Sequence, residues 1–203
     1  MYSPTYAIVD IETTGHSPKK GDRRIQFAAV FIRDWKIQST FSTFIQPGKK
    51  IPMFIQDLTH ITDEDVKDAP TFEEVAEEIH QQLAHCIFVA HNADFDLPFL
   101  QAEFKRAGMP KWSGKKMDTV ELSRLLFPTS FSYKLSDITS EIGIVLEQAH
   151  RADDDAYATA ELFIRCKEEI EKLPISTLEQ IHKRAFLLKS DLASLFFEIL
   201  QNK

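Results

Sequence analysis

Five residues in three separate segments of this chain carry groups suited to one chemistry. Asp10 and Glu12 sit in Ile8-Val9-Asp10-Ile11-Glu12-Thr13-Thr14-Gly15, and Asp96 in Val89-Ala90-His91-Asn92-Ala93-Asp94-Phe95-Asp96. His150 and Asp155 sit in His150-Arg151-Ala152-Asp153-Asp154-Asp155-Ala156. Carboxylates embedded in apolar runs are costly to bury unless something positive neutralises them. A pair of divalent cations does so most economically, and a metal pair held by oxygen ligands is suited to hydrolysing a phosphodiester.

The spacing places conditions on the elements that hold these groups. Asp10 and Glu12 are two apart on a predicted strand, so both leave the same face, while Val9 and Ile11 point the other way into the core. Two like charges this close raise each other's pKa unless a cation sits between them; the plainer alternative is a pair of solvated strand-end acids. Thr13-Thr14-Gly15 then offers a tight turn with hydroxyl and backbone donors. Asp96 follows a short buried strand, where sheet-based folds carry chemistry. Its structural alternative is the N-cap of a helix starting at Leu97-Pro98, since proline suits a first turn; Asp94 competes with it but reads as a loop acid. His150 and Asp155 are five apart, which on one helix puts them about 140° from each other. They meet only if His150 lies in a loop before a helix beginning near Ala152. Asp153 and Asp154 then fall in its first turn, where negative charge suits the helix dipole without any catalytic role.

The surrounding pattern supplies such elements. Thr5–Ile11, Ile25–Ile32 and Lys36–Ile45 read as strands, with Arg33-Asp34 as a hairpin tip and Pro47-Gly48 as the end of an antiparallel meander. Thr71 with Glu74 is a capping-box signature before the helically spaced Phe72, Val75, Ile79 and Leu83. Cys86–Ala90 reads as a strand; Leu97–Ala107, Thr119–Phe127, Leu135–Ile142 and Ala152–Lys172 read as helices. Strands first, then strand and helix in alternation, predict a mixed α/β sheet covered by helices. Pro174 marks a break, dividing 1–173 from a helical extension or connector over 174–203. There, Ser176-x-x-Glu179 reads as another capping box and Ser190 as the cap of a last helix. Leu192, Leu195, Phe196, Phe197, Ile199 and Leu200 make that helix apolar on more than one face, so it packs back on the domain or covers a partner.

At 203 residues, 43% hydrophobic and 27% charged, the chain has the composition of a soluble globular domain. No apolar run reaches a membrane-spanning length, and Met1-Tyr2-Ser3-Pro4 begins neither a charged nor an apolar leader. Cys86 and Cys166 lack metal-ligand spacing and read as reduced core thiols of a cytoplasmic protein. The net charge of −7 does not by itself suggest a nucleic-acid partner. The clusters Lys19/Lys20/Arg23/Arg24, Lys49/Lys50 and Lys105/Arg106/Lys111/Lys115/Lys116 read mainly as solvated faces.

Taken together, the order and spacing of these segments resemble the DnaQ-like 3′→5′ exonucleases of the ribonuclease-H-like superfamily, over roughly residues 5 to 170. Asp10 and Glu12 match the first motif of that family, Asp96 the second, and His150 with Asp155 the third. Arg151 stands where a sister branch has tyrosine, so the histidine (DEDDh) version applies. Leu58-Thr59-His60-Ile61-Thr62-Asp63-Glu64 resembles the family's substrate-contact segment, with His60 where most relatives have glycine. The resemblance is closest to the exonuclease domains of bacterial DNA polymerase III and of helicase-fused, DinG-type proteins. No Gly-x-x-x-x-Gly-Lys-Ser/Thr phosphate loop occurs in the chain, so a helicase motor is not expected within it.

The resemblance implies a mixed five-stranded sheet flanked by helices and a two-metal phosphodiester hydrolase. It makes Asp10, Glu12, Asp96 and Asp155 ligands of Mg²⁺ or Mn²⁺, Asp10 the candidate bridge, and His150 the base. Oxygen ligands without clustered cysteine or histidine favour those ions over zinc. Two ions roughly 3.5–4 Å apart would activate water and steady the leaving 3′ oxygen. Thr13, Thr14, Ile61 and Phe95 are expected at the 3′-terminal nucleotide, with core packing the alternative for Ile61 and Phe95. The expected partner is single-stranded DNA, and the expected setting replication or repair. The alternatives are an exoribonuclease, or a non-catalytic nucleic-acid-binding module of a larger helicase or polymerase.

Overall fold

The computed structural model describes residues 3–203; Met1 and Tyr2, part of the N-terminal segment read above, lie outside the described residues. Three antiparallel strands open the fold, β1 (Thr5–Thr13), β2 (Arg24–Arg33) and β3 (Lys36–Phe44). The β2–β3 hairpin turns on Asp34 and Trp35, with φ of 51° and 58°, and not on Arg33-Asp34. A two-residue loop matches the strand twist when both central residues are left-handed, and Arg33 stays in register with Lys36.

Two short helices follow, α1 (Met53–Thr59) and α2 (Asp63–Val66), neither of which shows in the sequence periodicity. Helix α3 (Phe72–Leu83) starts at the expected capping box, the Thr71 N–H donating to Glu74 Oε2 at 2.7 Å. Then come β4 (Cys86–Ala90), α4 (Ala93–Arg106), β5 (Lys116–Asp118), α5 (Thr119–Leu126), α6 (Leu135–Glu141) and α7 (Ala152–Lys172). The sheet order is β3-β2-β1-β4-β5, with β4 and β5 parallel to β1. It is the mixed five-stranded α/β sheet of the ribonuclease-H-like class.

Strand β1 is central and buried on both faces. Tyr6 and Ile8 join Ala156, Ala160 and Phe163 of α7 in one core layer. Ala7, Val9 and Ile11 join Phe72 and Ile79 of α3 and Phe99 and Phe104 of α4 in the other. Because β1 and β4 run parallel, their C-terminal ends open on the same edge of the sheet, where such folds bind ligands.

Three expected helix starts are corrected. Helix α4 begins at Ala93, with Asn92 (φ 75°) as its N-cap, so Asp96 lies in the first turn and not at the cap, and Pro98 lies inside the helix. The start is fixed upstream because the Asp118 carboxylate accepts the N–H groups of Asn92 and Ala93 at 3.1 and 3.0 Å. Helix α8 (Ile175–Leu187) begins directly after Pro174, so Ser176 and Glu179 form no capping box. Helix α9 (Leu192–Gln201) has Asp191 as its N-cap and not Ser190, although the Ser190 hydroxyl, one residue further out, accepts the Leu192 N–H at 3.3 Å.

Both C-terminal helices pack back on the domain. Leu178, Ala185, Leu192, Leu195, Phe196 and Ile199 enter the same core layer as Tyr6 and Phe163. The Asp191 carboxylate accepts the Lys116 N–H at 3.0 Å, and the Tyr6 hydroxyl donates to Glu198. Both cysteines are free, and burial pushes the Cys166 thiol up to about 12. Among the described residues no helix is long and apolar enough to cross a membrane.

Candidate active site

The strand end, the α4 start and the α7 start bring the predicted acids together. Asp10, Glu12 and Asp155 each offer a carboxylate oxygen, and these oxygens lie within 4.8 Å of one another. Asp10 and Glu12 extend the α7-facing side of β1, beyond the layer formed by Tyr6 and Ile8. Asp155 comes from the first turn of α7, directly above that side. Asp96 comes from α4, packed on the opposite face, and shares the cleft with the other three.

His150 sits as the sequence requires, outside α7, in a left-handed conformation (φ 66°) two residues before the helix. Its backbone N–H donates to Asp155 Oδ2 at 2.9 Å. Its side chain is exposed and lines the cleft beside Asp10. The loop therefore fixes the carboxylate and presents the imidazole to the same space.

Two residues that sequence reasoning passed over hold the frame. Gln26, paired with Glu12 across β1 and β2, accepts the Ala152 N–H at 3.1 Å and donates to Asp153 Oδ1 at 3.0 Å. It thereby ties the start of α7 to the sheet beneath Asp155. Asp118 accepts the Val120 N–H at 2.8 Å in addition to the two α4 donors, joining the starts of α4 and α5. An aspartate directly before the predicted helix at Thr119 was the available signal for the cap on α5. His91 was also missed; Thr119 Oγ1 and the Tyr133 carbonyl occupy its two ring nitrogens, each at 2.8 Å.

The electrostatics show what the cluster lacks. Burial, then the charges of Asp96, Glu12 and Asp155, hold Asp10 well above the usual carboxylate range. Glu12 is pushed up to about 9, by burial and then Asp155 and Asp96, with Arg151 opposing. Burial pushes Asp96 to about 8, while Arg24 and the N–H groups of Asp96 itself and Ile11 pull it down. Asp155 rises to about 7, chiefly by burial, against the His150 N–H. Among the described residues none of the four forms an ion pair with lysine or arginine; the nearby Arg151 pairs with Asp153. Crowded carboxylates that no lysine or arginine among the described residues pairs with fit a divalent metal site.

A lobe of about 220 Å³ beside the acids is lined by Thr13, Gly15, Leu58, Thr59 and Phe95. Of the four residues expected at the terminal nucleotide, Thr13 and Phe95 line this cleft, and Thr14 and Ile61 do not. The Thr14 hydroxyl is buried and accepts the Arg23 N–H at 3.0 Å. Ile61 is fully buried with Ile25, Ile51, Ile55 and Val66. The turn after α1 explains this: His60 closes the helix with φ 56°, directing Ile61 inward and leaving Leu58 and Thr59 at the cleft. A left-handed φ also suits the glycine usual at that position. A Cβ at Gly15 would lie 2.5 Å from Asp22 Oδ2, so a larger residue there would have to displace that carboxylate.

Residues 7–163 match the family model RNase_T, described as exonuclease, and the chain belongs to that family. It is 44% identical over 202 residues to the 3′-5′ exonuclease DinG of Staphylococcus saprophyticus, covering 100% of this chain and 22% of that protein. The DinG of Staphylococcus aureus is likewise 44% identical over 201 residues, covering 99% and 22%. The chain thus spans about a fifth of the length of these relatives. Exonuclease X, solved in complex with 5′ overhanging duplex DNA, superposes with a TM-score of 0.66 at 26% identity, covering 80% of this chain and 91% of that one. The zinc-bound E. coli exonuclease I–ssDNA complex shares the fold, with a TM-score of 0.76 at 21% identity over 92% of this chain and 45% of that one.

Proposed function

We propose that this chain is a metal-dependent 3′→5′ exonuclease that removes nucleoside 5′-monophosphates from the 3′ end of single-stranded DNA. The observation that carries this reading is the convergence of Asp10, Glu12, Asp96 and Asp155, without a neutralising side chain, around a cleft that also receives an exposed His150. The four carboxylates would hold two ions, and oxygen-only ligation favours Mg²⁺ or Mn²⁺. When bound, such ions supply charge stabilisation at the scissile phosphate and lower the pKa of water. Asp10, like Asp155, lines both sides of the cleft, and we propose that it would contribute to holding both ions. His150 is the proposed general base: it takes a proton as the water oxygen bonds to phosphorus and the P–O3′ bond breaks. The departing O3′ takes a proton from solvent, which leaves a 3′-hydroxyl on the shortened strand. Thr13 and Phe95 border the terminal nucleotide; Phe95 offers a ring for a base, contact that tolerates any sequence. Thr14 supports the Thr13-Gly15 turn from below, and Ile61 supports α1.

Residues 1–173 form the catalytic unit in this reading and 174–203 a connector, and the protein acts in the cytoplasm in replication or repair. A helicase or polymerase partner, fused or separate, belongs to this proposal; the chain covers 22% of the DinG relative's length. The test is digestion of 5′-labelled single-stranded DNA and a matched RNA with Mg²⁺, Mn²⁺ or chelator. A labelled ladder shortening one nucleotide at a time, faster on DNA and abolished by chelator, is the expected result. Immediate release of labelled mononucleotide, or shortening that persists in chelator, would contradict the reading.

A further inference from the structure

The lobe that holds Thr13 and Phe95 occupies one side of the acids. On the other side lies a larger cleft of about 880 Å³, which shares Asp10, His91, Phe95, His150 and Asp155 with the first. The acids therefore stand at the junction of a small compartment and a large one. If the small one takes the terminal nucleotide, the rest of the strand must leave through the large one.

That second cleft has the chemistry of a single-strand platform. Its far wall is the start of α6 and the loop before it, with Arg124, Tyr133 and Lys134 among its lining. Among the described residues neither Arg124 nor Lys134 forms an ion pair, although most of the arginines near the sheet do. The Arg124 guanidinium lies 5.7 Å from the Tyr133 ring centre. The loop is fixed: the Tyr133 hydroxyl donates to the Phe127 carbonyl at 2.9 Å, and Ser130 Oγ donates to Glu141 at 3.0 Å. The Tyr133 carbonyl meets His91 at 2.8 Å, tying the loop to the edge of the acid cluster. On this fixed loop, one residue outside the cleft's lining at Ser132, Phe131 is 101% exposed, which no packing explains. Cations that follow a backbone, with aromatic rings for bases, make up a sequence-tolerant single-strand site.

We infer that Arg124, Lys134, Tyr133 and Phe131 form a platform for the nucleotides upstream of the scissile phosphate, the two cations meeting phosphates and the rings meeting bases. This rests on the exonuclease reading and specifies where its substrate lies. It makes the enzyme sensitive to strand length, because a one-nucleotide substrate never reaches the platform.

The experiment compares the p-nitrophenyl ester of thymidine 5′-monophosphate with a dinucleotide and an octanucleotide in Mn²⁺, for the wild type, Arg124→Ala/Lys134→Gln and Phe131→Ala. In the wild type kcat/KM is expected to rise with length. Each variant should lose about tenfold on the octanucleotide relative to the ester, through KM, as expected for losing one stacked base or a phosphate pair. The slope of log affinity against log salt should fall by about 0.7 per phosphate contact removed in the double variant, and stay put in Phe131→Ala. Equal losses on all three substrates, or none on any, would overturn the platform. A wild type that hydrolyses neither ester nor oligonucleotide overturns the exonuclease reading itself and the platform with it. Length dependence that survives in the variants overturns the platform alone.

Discussion

Two acidic regions about two turns apart on α4 are handled in opposite ways. At Glu103 the chain supplies the counter-charge: the buried carboxylate accepts from Arg23 Nε at 3.0 Å and forms an ion pair with Arg106 at 2.8 Å, and Arg23 also pairs with Glu73. At Asp96 four carboxylates crowd together with no such partner. Arg24 lies between the two, fully buried, its guanidinium 4.9 Å from the Phe72 ring centre and influenced by both Glu103 and Asp96. Burial lowers its pKa to about 9, against the pull of those two acids. The contrast teaches that this sequence neutralises a buried acid when the acid is structural. At the cleft it leaves negative charge for something that enters from outside.

The comparison is sharpened first at His150, which lines the cleft but is not one of its carboxylates. His150→Ala should slow turnover about 10²–10⁴-fold, the range for losing a general base, while Mn²⁺ affinity stays near wild type. A calorimetric titration in which affinity collapses and turnover survives would remove its role as base. Next, Glu103→Ala removes the buried acid that the part-exposed Arg23 and Arg106 share and should cost about 1–3 kcal/mol in chemical denaturation. Asp96→Asn, on the same helix, should instead stabilise the ion-free protein by relieving repulsion. Losses of equal size at both positions would erase the distinction between the two regions.

A smaller effect is expected from pH. Carboxylates in an unfolded chain titrate near about 4, whereas Asp155, Asp96 and Glu12 reach about 7, 8 and 9 here. Folded values above unfolded ones mean that their contribution to stability is fully present below about 4 and is lost as pH rises through about 7 to 9. The melting temperature of the ion-free protein should therefore fall across that window. Mn²⁺ should restore it, more strongly at the alkaline end, because the ion binds the deprotonated groups. An ion-free melting temperature that is flat across the window would contradict the crowding of these acids.

Much of the cluster of acids and histidine was legible because its conditions are local. Alternation puts Asp10 and Glu12 on one face, and the angular argument puts His150 outside α7; both hold in the structure. What was not legible depends on distant partners. Helix α4 starts at Ala93 because Asp118, far along the chain, accepts its first N–H groups. Strand β5, with three residues, has no period to read. Ile61 is turned into the core by the left-handed His60, which no apolar pattern signals. Gln26 reads as a strand polar residue until α7 is seen above it.

The central claim is that the chain withholds a counter-charge from the cleft so that divalent ions supply it. Titration of the purified chain with Mn²⁺, read by calorimetry for wild type, Asp10→Asn and Glu103→Gln, tests this most directly. About two ions should bind the wild type and Glu103→Gln, and Asp10→Asn should lose at least one while keeping its circular dichroism. Absence of saturable binding in the wild type, or undiminished binding in Asp10→Asn, would contradict the claim.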